Sequence, residues 1–334
     1  MFLPLAAGAV ATAATATVPS HERWFEDVSS GGDWSFYLRP LPLALSATVL
    51  VVTVVWRLVA LRLTRPELPF LSRVGSLTPW VPRLLGIHLG VALLALAATG
   101  AFLTPAVGHL QGLGTGLLLL EAALGVWLIS GVRIRLAAGT VLALGPALAL
   151  VAGPMALVEC ANLAAVAAFL LIATPGADRH GAVEVPARRL RWALIALRVG
   201  VAAALISLAF TEKFTNPVMA RATLADHPQL DVLALAGVHL SPDTFVVIAG
   251  SVELLFGLLV LSGALPQVAV LVAAVPFNAT LVLFGQTELV GHLPVYGVFL
   301  ALLAYGSNPA TAAAVRWLPR PAALTARRLS RQPA

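Results

Sequence analysis

Charge is what this chain has least of. Asp, Glu, Lys and Arg make up 11% of its 334 residues, hydrophobic residues make up 59%, and the mean hydropathy is +0.93. A water-soluble domain carries about 25% charged residues, so this much apolar surface has to be covered by lipid. Cysteine is nearly absent. Cys160 stands alone inside an apolar run, which excludes an intrachain disulfide and any CxxC metal or redox motif. The chain also lacks a glycine-rich nucleotide loop, a GxSxG elbow, an HExxH pair and a soluble stretch long enough for a Rossmann unit. These absences argue against a self-contained soluble-type enzyme. For redox work, a quinone in the bilayer or a partner subunit would have to supply the redox centre.

What is present is a series of apolar runs of membrane-crossing length. The expected architecture is an all-α polytopic transmembrane helical bundle of about nine spans. The first covers 41–61. Four more cover 84–104, 112–131, 136–153 and 155–173, and the last four cover 192–210, 244–262, 266–284 and 286–306. Each is close to the ~20 residues that cross a hydrocarbon core. Gly291 and Pro294 offer an alternative break, after a longer eighth helix. Residues 1–19 resemble a signal peptide with small residues near its end, although no early Lys or Arg precedes the apolar core; a retained first helix is the alternative. Residues 20–40 are polar and aromatic and read as an outer interfacial segment, since Trp favours the headgroup level.

The formal net charge of +6 is a topology signal here rather than a nucleic-acid footprint. Arg62, Arg65, Arg73, Arg83, Arg133, Arg135, Arg179, Arg188, Arg189, Arg191, Arg316, Arg320, Arg327, Arg328 and Arg331 fall on one side. Arg23, Arg39, Lys213 and Arg221 fall on the other. The positive-inside rule makes the richer side cytoplasmic. It predicts a multi-pass protein of the cell inner (plasma) membrane with an outside N-terminus, an outside 211–243 loop and a basic cytoplasmic tail at 307–334. An odd number of spans agrees with that.

An internal duplication runs through the chain. Thr99, Phe102 and Pro105 match Thr211, Phe214 and Pro217 in register. Glu121, Gly125, Ser130 and Gly131 match Glu253, Gly257, Ser262 and Gly263 at a constant offset of 132, and Glu159 pairs with Glu288. Matched intramembrane acids with matched glycines are hard to obtain by chance from apolar composition. The reading is two parallel four-helix repeats, 84–173 and 192–306, behind one extra N-terminal span.

The second unit carries Thr211, Glu212, Lys213, Phe214, Thr215, Asn216 and Pro217, then Gly250, Ser251, Val252, Glu253, Leu254, Leu255, Phe256 and Gly257, then Ser262 and Gly263. In these motifs it resembles the DoxX-like family of four-helix membrane proteins. The resemblance implies a four-helix bundle. It also implies an association with thiosulfate or quinone oxidoreduction and oxidative-stress complexes. The first unit departs from the pattern, with Gly100 and Ala101 where the second has Glu212 and Lys213.

Buried acids carry the expected chemistry. A carboxylate in mid-span costs about 2.5–3.5 kcal/mol on insertion scales, so Glu253 and Glu121 should face the bundle interior, a partner or water. The predicted ligand or proton site is in the second unit: Lys213, Glu212, Glu253 and Glu288, with His292 near its mouth and Asn216 at its rim. Glu121, Glu159 and His109 form a secondary site in the first unit, read mainly as bundle support. The plainer alternative is an interhelical salt bridge between Lys213 and Glu253 or Glu288, with the acids acting as helix glue. His21, His239 and His292 are weak metal candidates, since imidazole and carboxylate suit Zn, Cu or Fe, and a histidine pair suits haem; no ligand spacing supports either. Three functions follow. The first is an accessory or quinone-interacting subunit of a membrane redox system, partnered by lipid and a respiratory or other redox complex. The second is a proton- or ion-coupled transporter of a small solute. The third is a structural or assembly protein without a ligand.

Overall fold

The computed structural model describes residues 32–105, 107, 113–175 and 181–319. Its regular structure there is helical. The helices are α1 (Trp34–Tyr37), α2 (Pro40–Arg62), α3 (Val81–Thr99), α4 (Leu113–Ser130), α5 (Ile134–Ala143), α6 (Gly145–Ala152), α7 (Met155–Glu159) and α8 (Ala161–Ala173). They continue as α9 (Ala187–Leu208), α10 (Pro217–Asp226), α11 (Val232–Leu235), α12 (Pro242–Ser262), α13 (Pro266–Phe284), α14 (Gln286–Ser307) and α15 (Ala312–Val315). By length and composition, 7 segments are able to cross a membrane: Pro40–Arg62, Pro69–Thr99, Ile134–Ala152, Ala187–Phe214, Pro242–Ser262, Pro266–Phe284 and Glu288–Ser307. Two shorter apolar helices, Gly114–Ser130 and Ala161–Ala173, lie among them. The chain is a multi-pass helical membrane protein.

Several boundaries differ from the sequence expectation. The run at 155–173 is two helices, because the chain breaks at Cys160 between α7 and α8. The run at 136–153 turns at Leu144, one residue before the Gly145-Pro146 start of α6. The 62–83 segment includes a 3-10 helix, Pro69–Trp80, that leads directly into α3. The 211–243 loop contains α10, because Asn216 caps it and Pro217 occupies its first turn. By contrast, the break between the last two spans falls at Gly285 (φ 65), where the 266–284 and 286–306 bounds put it, and not at the alternative Gly291 or Pro294. Pro294 sits inside an unbroken α14.

The non-membrane segments gather at two ends of the bundle. At one end the Asp33 amide donates to Thr215 O (2.5 Å). Asp243 meets Arg221 (2.5 Å) and Arg39 (3.6 Å) there as well. Asp33 also caps α1 through the Ser35 amide, and hydrogen bonding from the Ser35 hydroxyl, then from its amide, holds the carboxyl below the usual range. At the other end, Val183 N donates to Pro79 O (2.8 Å). Gln267 is fully buried and bonds Glu67, Leu68 and Ser307. Asn308 bonds Gly75 O and Thr78. The segments assigned to one side by arginine content therefore touch one another.

Helix packing follows the small residues. α3 crosses α4 where a Cβ on Gly90 would lie 2.6 Å from Gly125 O, so only glycine permits this approach. α9 crosses α12 at the matched position, where Gly257 faces Ala202 and Ile206. α8 packs on α9, and α14 packs on α3. Both second helices, α4 and α12, end on the same cap. The Ser130 hydroxyl donates to Trp127 O and the Ser262 hydroxyl to Leu259 O, each at 2.7 Å, ahead of Gly131 (φ 81) and Gly263 (φ 61). Glu121 and Glu253 each stand nine residues before that serine, the same rise along their helices.

Candidate functional site

The predicted second-unit residues fall into two groups. The first is built where α9 widens into a π-helical turn, Ala209–Phe214, closed by Thr215 N donating to Phe210 O (2.9 Å). Lys213 Nζ lies 2.9 Å from Glu253 Oε1 and 3.3 Å from Glu212 Oε2. Glu212 is buried, whereas the Glu253 side chain is 32% exposed. Gly250 of α12 admits the Lys213 stem and the Phe214 ring, since a Cβ there would lie 3.1 Å from each. The Lys213–Glu253 salt bridge weighed in the sequence is thus present. Asn216, predicted at a pocket rim, is buried and its Oδ1 accepts from Met219 N as the cap of α10.

The second group is Glu288 and His292, one turn apart on α14. His292 Nδ1 lies 3.2 Å from Glu288 Oε1, and both residues are buried. Phe277 of α13 packs edge-on against the imidazole at 4.8 Å. His292 lines a cavity of about 40 Å³ between α14, α9 and the α7–α8 turn, room for a few waters. The opposite wall comes from the first unit: Leu103, Thr104, Glu159 and Cys160. Thr104 donates to Glu159 Oε1 (2.5 Å), and the Cys160 thiol approaches Leu103 O (3.4 Å). Lys213, Glu212, Glu253 and Asn216 do not line this cavity. Glu159, placed in a secondary site by the sequence, faces the same space as His292.

Glu121 sits behind that wall. It is fully buried, and its Oε1 accepts the amide of Leu103, a residue with φ 60. Its Oε2 has no hydrogen-bond partner among the described residues. Leu103 therefore carries Glu121 on its N–H and Cys160 on its C=O. Thr104 and Cys160 were missed by sequence reasoning. The available signal for Thr104 was its place beside Pro105 in the duplicated Thr-Phe-Pro register.

The remaining histidines are scattered. His109 and His21 lie outside the described residues, as does His180. His239 is exposed, His88 Nδ1 lies 2.9 Å from Leu84 O, and His227 packs on Phe284. No group of three or more His, Cys, Asp or Glu is placed to hold a metal among the described residues.

No family model, no curated protein and no solved structure matches the chain, so the likeness to DoxX-like proteins rests on the motif residues alone.

Proposed function

We propose that this chain is a proton-handling subunit of a membrane redox system, working at the cleft between two parallel four-helix units. The observation that carries the reading is the shared cavity: Glu159 of the first unit and His292 of the second line one space whose other walls include Leu96, Leu163, Leu205 and Val295. A carboxylate and an imidazole are the side chains that exchange protons near neutral pH in such surroundings. A cavity of about 40 Å³ is too small for a quinone ring. Its direct occupants are waters, and the species exchanged is the proton. A quinol-type carrier would then meet the cleft at its mouth, its hydroxyl protons passing to the acid and the imidazole while a partner subunit's redox centre takes its two electrons.

The nine-span arrangement is part of the same proposal. Its supports are the matched glycine crossings, the matched serine caps and the reciprocal packing of α8 on α9 and α14 on α3. Two short apolar helices, α4 and α8, complete the count. The arginine asymmetry orients the 307–319 end to the cytoplasm. A carrier reading is favoured by the Lys213–Glu253 pair within the spans. It predicts solute-dependent proton flux in vesicles, which the subunit reading does not.

The test is binding of a short-chain quinol to the protein in lipid nanodiscs, followed by tryptophan quenching from pH 5.5 to 8.5. Wild type should bind with an affinity that changes about tenfold per pH unit over part of this range. Glu159→Gln combined with His292→Gln should flatten that slope. Absence of quinol binding by wild type, or an unchanged pH slope in the double variant, would remove the reading.

A further inference from the structure

Helix α13 carries a polar group on a face that no described residue of the chain covers. Helix α13 buries Ala269, Val270, Ala273 and Phe277 and turns the opposite face outward. That outer face presents Leu271, Val275 and Val282 at 41%, 70% and 84% exposure, and Asn278 is exposed among them. Positions 271, 275, 278 and 282 follow the four-three-four spacing of a helix–helix seam. The only polar residue on that seam is Asn278, the thirteenth of the 19 residues of α13. It lies about 9 Å from the helix end at 1.5 Å per residue.

A primary amide in hydrocarbon is costly unless its donors and acceptor are met. Asn278 Nδ2 donates to Ala274 O within its own helix (2.7 Å). That uses one amide hydrogen. The second hydrogen and Oδ1 have no partner among the described residues. A further acceptor lies on the same face. Pro276 is inside α13 and has no N–H, so the carbonyl of Val272, four residues earlier and on an exposed residue, loses its ordinary helical donor.

From these groups we propose that α13 is a homodimer interface, in which the Asn278 amides of two copies of this chain bond each other across a two-fold axis. The occupant is a second copy because of the chemistry left open. An amide with one free donor and one free acceptor is complementary to itself, and a two-fold axis brings a residue against its own copy. A single polar residue in an otherwise apolar seam fixes register and partner number. The interface stands on different residues from the Glu159–His292 cleft and does not depend on its function.

The experiment uses the full chain in phosphatidylcholine–phosphatidylglycerol vesicles at low protein-to-lipid ratio. Val275→Cys and Val282→Cys are introduced singly, beside the buried native Cys160, and oxidised with copper phenanthroline. Both should give a covalent dimer. Leu150→Cys, 88% exposed on the first unit, should not. Adding Asn278→Leu should cut the dimer yield about fivefold or more, and Asn278→Gln should restore much of it. Size-exclusion chromatography with light scattering checks that each variant is folded and gives its mass. The proposal is overturned if Val275→Cys and Val282→Cys remain monomeric. Equal linking through Leu150→Cys, or a yield unmoved by Asn278→Leu, overturns it as well.

Discussion

Lys213 is the only lysine in the chain, and it stands between two glutamates. Removing it leaves two carboxylates close together with less positive charge than before. A fully buried pair broken this way costs about 3–5 kcal/mol, and an exposed one about 0–1 kcal/mol. With Glu253 partly exposed, Lys213→Met should cost about 1–3 kcal/mol, between those limits. Thermal unfolding of the detergent-solubilised variant checks this, and Lys213→Met paired with Glu253→Gln should recover part of the loss. Glu121 calls for a different pair of variants. Its described bond is accepted from the Leu103 amide, a role that an amide oxygen can keep. Glu121→Gln should therefore stay within about 1 kcal/mol of wild type, while Glu121→Leu orphans a buried N–H and should cost about 1–3 kcal/mol. Equal melting temperatures for the two variants would contradict that bond. The acids themselves were legible in the sequence, because a carboxylate in an apolar run announces itself. The partner of Glu121 was not, because a backbone N–H has no residue type to read. The distinction between the Lys213 cluster and the Glu288–His292 cluster was equally hidden, since Lys213 and Glu288 both sit near helix ends and only packing decides which neighbours meet.

At the scale of the helix, glycine spacing carries most of the specificity. Gly200 of α9 faces α8, where an added Cβ would lie 2.4 Å from the Ala161 carbonyl. That contact is with backbone, so neither helix can relieve it by a rotamer change. Gly200→Ala should lower the stability of the inter-unit packing by about 1–3 kcal/mol. It should also widen the adjoining cleft, seen as faster labelling of Cys160 by a small maleimide. Gly153→Ala, whose Cβ would meet nothing within 4 Å, is the packing control, although its φ of 84 carries a strain of its own. Most long helices were legible from apolar length and from their entry prolines, such as Pro40, Pro242 and Pro266. The break at Cys160 was not. No proline or glycine occupies 155–173, and the interruption comes where Glu159 and Cys160 turn to meet Thr104 and Leu103. The end of α13 before Gly285 was legible, and the alternative break at Gly291 and Pro294 did not form.

For the molecule as a whole, the two polar ends give the most direct test of orientation. A cysteine placed at Asp231 should react with an impermeant reagent added outside intact cells, and one placed at Ala182 should react only after permeabilisation. The reverse pattern would invert the topology. The loops grouped by arginine content converge, as Val183 with Pro79 and Asp33 with Thr215 illustrate, and the labelling decides which group faces the cytoplasm.

The attachment of α2 has a mechanical meaning. Near one end Arg39 pairs with Asp243, which begins α12. At the other, Trp56 and Arg57 donate to Ala264 O and Ser262 O, just where α12 ends, and Arg316 donates to Ala60 O. Between them Val49 packs with Val247 and Leu254. A helix pinned to one neighbour top and bottom has no independent travel. If the cleft opens, α2 and the second unit turn as a single lever while the first unit is the ground against which it moves. Spin labels on α2 and α12 should keep a constant separation in every state, and a pair spanning α4 and α12 should report the stroke.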